Sequence, residues 1–422
     1  MSAAKYILGT LVALETLVAL PSALSLCSIA TAAATDTTAT KTGTAVATAG
    51  GAMDAAATKT EVAAAGGAMD ATATNTGVAA AGEAAAAQPG YAAVTPDRTM
   101  VFPADFGSHP DFRTEWWYVT GWLTTHGEDL GFQVTFFRTK PKVDVTNPSS
   151  FAPRQLLIAH CAISDPKRGR LWQDQKIRRA GFGLADARVG DTGVWIDHWS
   201  LERDAGNYTA KIDAENFSLA LTFVNTQAPL LNGNSGVSRK GPAVQAASYY
   251  YSLPHLKVAG SIVRDGRTTP VSGEAWFDHE WSSEYLDSQA VGWDWIGINL
   301  DDGAALMAFR MRGAHGESRW AGGTLRSADG TVQLLGPGDV TFASQRTWRS
   351  PRTGIVYPIQ WQVHAGSREF ELEPLLADQE NDTRLSTGAI YWEGAVRAYE
   401  QHRVVGRGYL ELTGYGERLR LR

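Results

Sequence analysis

The chain has 422 residues, room for two or three domains with substantial cores, and carries 38 Lys and Arg against 44 Asp and Glu, a net charge of −6. No chain-wide basic surface is available to a phosphate backbone, so nucleic acid is not an expected partner. Two cysteines support neither a disulfide framework nor a four-thiolate zinc site, whereas 14 Trp are about three times ordinary usage.

Residues 6–20 are mostly apolar behind Lys5, and small residues follow at Ala30 to Ala34. This is the layout of a signal peptide over residues 1–34, which predicts export to the periplasm or the extracellular space. Glu15 interrupts the apolar run and Pro21 ends it short of the roughly 20 residues of a membrane span, so no integral span is expected in the mature chain. Cys27 follows Leu26 rather than a small residue, which argues against a lipidated terminus. From 35 to 90 the composition is 21 Ala, 12 Thr and 8 Gly with no aromatic residue, too little apolar surface to offset chain entropy. The segment Gly50-Gly51-Ala52-Met53-Asp54-Ala55 returns 16 residues later as Gly66-Gly67-Ala68-Met69-Asp70-Ala71. Residues 35–95 are therefore read as a low-complexity, disordered tether.

All 14 Trp lie beyond residue 96, where apolar residues recur with period two. Leu130, Phe132, Val134 and Phe136 alternate with Gly131, Gln133 and Thr135. Phe217 to Phe223 and Ile359 to Val363 repeat the pattern. Each run predicts a half-buried antiparallel strand. Asp265-Gly266, Asp302-Gly303 and Asp329-Gly330 separate such runs as hairpin turns. No long 3.6-residue periodicity competes, so the expected class is all-β, in two packed antiparallel barrels. A polar stretch at Ser282–Gln289 places the division between residues 96–285 and 286–422.

Nucleophile elbows, Walker loops, dinucleotide fingerprints and His-Glu-x-x-His are absent. His160-Cys161 has no further ligands at metal spacing, so neither metal nor cofactor is expected. What remains are aromatic and acidic clusters: Glu115-Trp116-Trp117-Tyr118, Tyr249-Tyr250-Tyr251, Asp278-His279-Glu280-Trp281, Trp293-Asp294-Trp295, Tyr391-Trp392-Glu393 and Tyr409-Leu410-Glu411. Strand alternation puts Trp116 with Tyr118, Trp293 with Trp295, and His279 with Trp281, opposite Asp278 and Glu280. Asp294 then shares a face with Ile296 and Ile298. A three-residue loop at 301–303 sets it opposite Arg310 as an ion pair; alternatively its carboxyl faces a ligand and acts as a general acid. His279 is either an acid–base group beside Trp281 or a core histidine, with Asp278 facing away or orienting the imidazole. Aromatic side chains in excess of core needs suggest a cavity for an apolar, isoprenoid-like or lipid-like molecule. Its candidate walls are Trp116, Tyr118, Tyr249, Tyr251, Trp281, Trp293 and Trp295, and the catalytic candidates are His279, Asp278 and Asp294.

Phe102-Pro103-Ala104-Asp105, the run from His109 to Gly121, Gly273 to Trp281, Gly292-Trp293-Asp294-Trp295 and Gly406 to Tyr415 together resemble the carotenoid 1,2-hydratase and AttH-like family over about residues 98–422. The resemblance implies two lipocalin-like barrels, usually exported and often described as predicted secreted hydrolases. The hydratases of this group add water to an isoprenoid double bond. His279 and Trp281 match the His and Trp of their Asp-His-x-Trp motif. Their Tyr-x-Asp on a following strand is matched here by Ala305-Leu306-Met307-Ala308-Phe309, which holds no acid, so the AttH-like branch is the nearer likeness. Three functions follow: an exported hydratase, hydrolase or isomerase of an apolar small molecule; a lipocalin-type carrier of such a molecule; or a glycan-binding or glycan-cleaving β protein. The sequence sets no oligomeric state.

Overall fold

The computed structural model describes residues 90–142 and 146–419. The signal-peptide reading and the tether up to residue 89 lie outside the described residues. The structure is nearly all β: among the described residues the helical segments amount to one 3-10 turn, Ala104–Phe106. No helix there is long and apolar enough to cross a membrane. Every pairing is antiparallel, in a 13-stranded sheet ending at Glu284 and a 10-stranded sheet beginning at Gly292. Each sheet curls around its own core, so the all-β architecture of two packed barrel-like units is observed.

Tyr91 and Val94, inside the stretch assigned to the tether, pack against the first barrel's residues. Both are buried, and Thr95 bonds the Tyr249 hydroxyl through its backbone N–H at 2.8 Å. A composition window dominated by Ala and Thr hides these two anchors. The three Asp-Gly turns also differ from one another. At Asp265-Gly266 both residues have positive φ, 52° and 72°, as a two-residue hairpin requires, whereas at the other two only the glycine does. The loop Asp301 to Gly303 spans three residues, and the register it dictates holds: Asp294 lies opposite Arg310.

Three apolar cores result. One fills the first barrel and includes Phe132, Val134, Phe136, Phe217 and Leu219; a second fills the other barrel around Ile296, Ile298, Trp361 and Leu410. The third lies between the barrels, where Tyr118, Trp122, Tyr250, Trp276 and Trp295 meet Phe309, Met311 and Tyr409. Strands at this junction are therefore buried on both faces. In Glu128–Thr139 the predicted outward residues Gln133 and Thr135 are each only 1% exposed, because their face meets the second barrel instead of solvent. Phe217–Val224, away from the junction, keeps the expected half-buried alternation. Two glycines allow the close approach: a Cβ on Gly131 would come within 2.6 Å of Ala395 Cβ, and one on Gly297 within 3.0 Å of Trp276 Cδ2. Trp122 Nε1 donates to Gly408 O at 3.1 Å, and Trp295 Nε1 to the Tyr250 hydroxyl at 3.0 Å, locking the two sheets.

Candidate functional site

A cavity of about 470 Å³ opens between the barrels, within the usual size range of small-molecule sites. Alternation along five strands builds its wall. Trp116 and Tyr118 come from Thr114–Thr125, Asp278 and Glu280 from Arg267–Glu284, and Trp293 and Trp295 from Gly292–Leu300. Tyr391 and Glu393 come from Ala389–Glu400, and Glu411 from Arg403–Leu412. Half of the lining residues are aromatic or aliphatic, and four carboxyls, Asp278, Glu280, Glu393 and Glu411, stand among them.

Asp278 lies opposite Tyr118 on one neighbouring strand and Ser252 on the other. Its carboxyl accepts from the Tyr250 hydroxyl at 2.7 Å, the Ser252 hydroxyl at 2.5 Å and Trp276 Nε1 at 2.7 Å. Burial nevertheless pushes its pKa up to about 7, the three donors only partly offsetting it, and the charge of Glu280 adds to the rise. Glu280 itself has a cation, Lys240 Nζ at 3.0 Å, and accepts from the Ser248 hydroxyl. Glu393 and Glu411 face each other across adjacent strands. Burial and then the neighbouring Glu411 charge hold the Glu393 carboxyl well above the ordinary range. Burial lifts Glu411 to about 7, opposed by Trp293 and aided by the charges of Asp278 and Glu280. Glu393 Oε1 and the Tyr118 hydroxyl are buried without a well-formed hydrogen bond, although the phenol lies near enough to favour the ionised carboxylate. His160 completes the rim: its ring nitrogens contact the Tyr391 hydroxyl at 3.1 Å and the Ser386 hydroxyl at 2.9 Å, and burial lowers its pKa to about 3. It is a neutral imidazole.

The sequence candidates divide between this cavity and two enclosed cores. Trp116, Tyr118, Trp293, Trp295 and Asp278 line the cavity. Tyr249, Tyr251 and Trp281 point into the first barrel and belong to its core, so the phenol that faces the cavity is Tyr250. The reason is register: Tyr249 and Tyr251 pair with Trp281 and His279, which face inward on the next strand. Asp294 faces the second core, bonded to Arg310 Nε at 2.6 Å, Arg312 Nε at 3.1 Å and the Tyr415 hydroxyl at 2.8 Å. That is the ion-pair arrangement, with a second arginine that hairpin counting does not reveal.

His279 is fully buried inside the first barrel, stacked against Trp117 with centroids 4.8 Å apart. Its Nε2 meets Glu115 Oε1 at 2.9 Å. A carboxylate can only accept, so Nε2 carries the proton and Nδ1 accepts from the Tyr251 hydroxyl at 3.1 Å. Burial lowers the His279 pKa to about 4 despite Glu115. The orienting carboxylate is thus Glu115, while Asp278 faces away. Glu115 also accepts from Arg138 Nε at 2.8 Å, His109 Nδ1 at 2.7 Å and the Ser108 hydroxyl at 3.0 Å. Burial opposes its charge, but Arg138 and the two histidines hold its carboxyl well below the carboxylate range. The ligand atoms of His109, Glu115 and His279 lie within 4.8 Å of one another, a spacing a metal could use. Each is already engaged, however, since His109 Nε2 also bonds Asp105 at 2.9 Å and Arg138 supplies the positive charge.

Glu393, Glu411, Glu280 and Tyr250 stand in the sequence clusters without being chosen as site residues, His160 enters there only as a possible metal ligand, and Lys240 belongs to none of the clusters. Alternation carried a signal for two of them: Leu410 and Leu412 face the core, which turns Glu411 to the other side, and Trp392 does the same for Glu393.

The AttH-like family profile matches residues 93–415. The chain belongs to the AttH-like family. An AttH-type protein of Nitrosomonas europaea, solved by crystallography, is 53% identical, with a TM-score of 0.73 over 77% of this chain and 99% of its own. Among curated relatives, kievitone hydratase of Fusarium solani subsp. phaseoli is 26% identical over 54% of this chain, and the dehydratase asqC of Emericella nidulans 23% identical over 50%. The matched regions span 65% and 57% of those relatives' own lengths. A crystal structure of kievitone hydratase from Nectria haematococca shares the AttH-like fold at 14% identity and a TM-score of 0.58, over 78% of this chain and 96% of its own.

Proposed function

We propose that this protein is a hydratase or dehydratase of an apolar small molecule, bound between the barrels and processed by buried carboxyl groups. The observation that carries the reading is the convergence of Asp278, Glu393 and Glu411 on an aromatic cavity, two of them with pKa near 7. Adding water to a double bond needs an acid to protonate carbon and a base to take a proton from the incoming water; dehydration runs the same steps in reverse. Carboxyls poised near neutrality and close to one another share protons, so one can donate while another accepts. In this reading Asp278 is the acid, held by Ser252, Tyr250 and Trp276, and Glu411 with Glu393 forms the accepting pair. The aromatic faces of Trp116, Tyr118 and Trp295 stabilise positive charge developing on the substrate. The names of the two curated relatives, a hydratase and a dehydratase, agree with this reaction class.

His279 becomes a positioning residue that ties the Arg267–Glu284 strand to Glu115, behind the face that carries Asp278. Export through residues 1–34 and a boundary between the barrels near 285–286 form part of the same proposal. The test begins with native mass spectrometry to find a co-purified apolar molecule, followed by incubation of that molecule in ¹⁸O-water. Wild-type protein should incorporate the label or eliminate water. Asp278→Asn should lose about 10²–10⁴ in rate, the usual contribution of a general acid, while keeping its affinity. Binding with no turnover by wild-type protein would favour the carrier.

A further inference from the structure

We propose that the surface beside the cavity mouth docks on an anionic lipid membrane, so that an apolar ligand passes between bilayer and cavity without crossing water. Phe151 and Phe182 are 68% and 60% exposed, and their rings stack with centroids 5.5 Å apart. Leu184, at the same turn, is 54% exposed. Large apolar side chains grouped on a surface mark a contact with something apolar.

The charge around them selects the partner. Residues 140–142, 146–154 and 176–184 carry Lys140, Lys142, Arg154, Lys176, Arg178 and Arg179 and no acid, in a chain whose net charge is −6. Among the described residues Asp197 pairs with Lys176 and Arg178, and in the sequence Asp144 follows Lys142 by two positions. The Arg179 guanidinium lies 4.4 Å from the Phe182 centroid and 5.0 Å from that of Phe151. Aromatic rings interleaved with arginines suit the headgroup region of a bilayer, where rings enter the interface and cations meet anionic lipid.

Continuity with the cavity gives the contact a purpose. Thr139 and Leu156 both line the cavity, and the loop bearing Phe151 and Arg154 joins them. Ile177, another lining residue, is 37% exposed and stands two residues before Arg179 on the same strand. The proposed entry route runs from the ring pair along the Arg179 strand past Ile177 into the cavity. The inference concerns where the ligand enters and does not depend on whether the cavity is catalytic.

Hydrogen exchange of the full chain tests it, read in peptides covering 146–155 and 180–185. Vesicles of phosphatidylcholine mixed with phosphatidylglycerol should slow exchange there several-fold, vesicles of phosphatidylcholine alone should not, and added salt should weaken the effect. Phe151→Ser combined with Phe182→Ser should abolish the protection with an unchanged melting temperature; should that variant melt early, Arg179→Glu serves instead. Because the readout is local, vesicle binding through the apolar residues 6–20 leaves it unmoved. Unchanged exchange on anionic vesicles would overturn the proposal. So would equal protection by neutral vesicles, or protection that rises with protein concentration alone, which would assign the patch to a second copy of the chain.

Discussion

Inside the first barrel Glu115 is 0% exposed, and at the cavity between the barrels Asp278 is 3% exposed, yet the two carboxyls titrate in opposite directions. Burial penalises charge equally in both places. What differs is the company: Glu115 has Arg138, His109 and His279, whereas Asp278 has only neutral donors and a second acid. Hydrogen bonds from hydroxyls and an indole do not replace a cation in a dry site. The first region is a satisfied structural network, and the second keeps protons at neutral pH that chemistry can use.

Removing the cation should break this contrast most severely. Arg138→Leu leaves the Glu115 carboxylate buried with the two histidines and Ser108 and should cost about 3–5 kcal/mol, measured by urea unfolding at pH 7. Asp278→Asn should cost less, about 1 kcal/mol, because the amide oxygen still accepts from Ser252 and Trp276 without carrying charge and only the bond from the Tyr250 hydroxyl is lost. Equal losses in the two variants would show that both acids are structural.

His279→Ala comes next. It removes the donor to Glu115 and the acceptor of Tyr251, which should destabilise by about 1–3 kcal/mol. Ligand affinity per folded molecule should stay at the wild-type level, since the ring faces away from the cavity. A large drop in that affinity would place His279 in the ligand site after all.

The same reasoning separates what could be read from the sequence. Face assignments followed from alternation alone, and the Asp294 to Arg310 pair followed from one hairpin loop, because both depend on residues close in the chain. Which face meets solvent, which meets a core and which meets a second barrel did not follow. Gln133 and Thr135 read as outward-facing, and Tyr249 and Tyr251 were chosen over Tyr250, because alternation has two sides while this molecule has three apolar compartments. The Glu115 network was equally hidden. Its partners come from Ser108 and His109, just past a 3-10 turn, and from Arg138, 23 residues further along the chain. Arg138 is the exception, since it lies opposite Glu115 across the hairpin that turns at His126-Gly127; no periodicity brings Ser108, His109 and His279 to that pair.

pH dependence sharpens the contrast. Glu115 has a depressed pKa, so the stability it contributes is present above the unfolded carboxyl value, about 4.3, and is lost as pH falls below it. Asp278 and Glu411 are raised to about 7, so these two carboxyls bind more protons folded than unfolded between about 4 and 7 and their share of stability declines as pH rises, while His279 and His160, lowered to about 4 and about 3, contribute in the opposite sense below about 6.5. Unfolding free energy measured from pH 4 to 8 therefore sums opposing contributions, and the carboxyl share is read from the difference between wild-type protein and a variant. Asp278→Asn should remove the Asp278 share, so that relative to wild-type protein its stability gains something on the order of 1–3 kcal/mol between pH 4 and 8. An unaltered slope would mean that Asp278 is ionised throughout.

The smallest effect comes from taking one hydroxyl from each region. In the first barrel the Tyr251 hydroxyl donates to His279 Nδ1 at 3.1 Å, so Tyr251→Phe leaves a buried acceptor unpaired and should cost about 0.5–1.5 kcal/mol. At the cavity the Tyr118 hydroxyl has no well-formed hydrogen bond to lose, so Tyr118→Phe should change stability by less than about 0.5 kcal/mol. Its influence lies elsewhere: the phenol favours the ionised form of Glu393, and without it that carboxyl should stay protonated to still higher pH. Infrared titration of the carboxylic C=O band would register this as a shift to higher pH in the cavity variant, with none in Tyr251→Phe. A cavity variant that loses stability and leaves the band in place would make Tyr118 one more packing residue, and the two regions would then differ in charge alone.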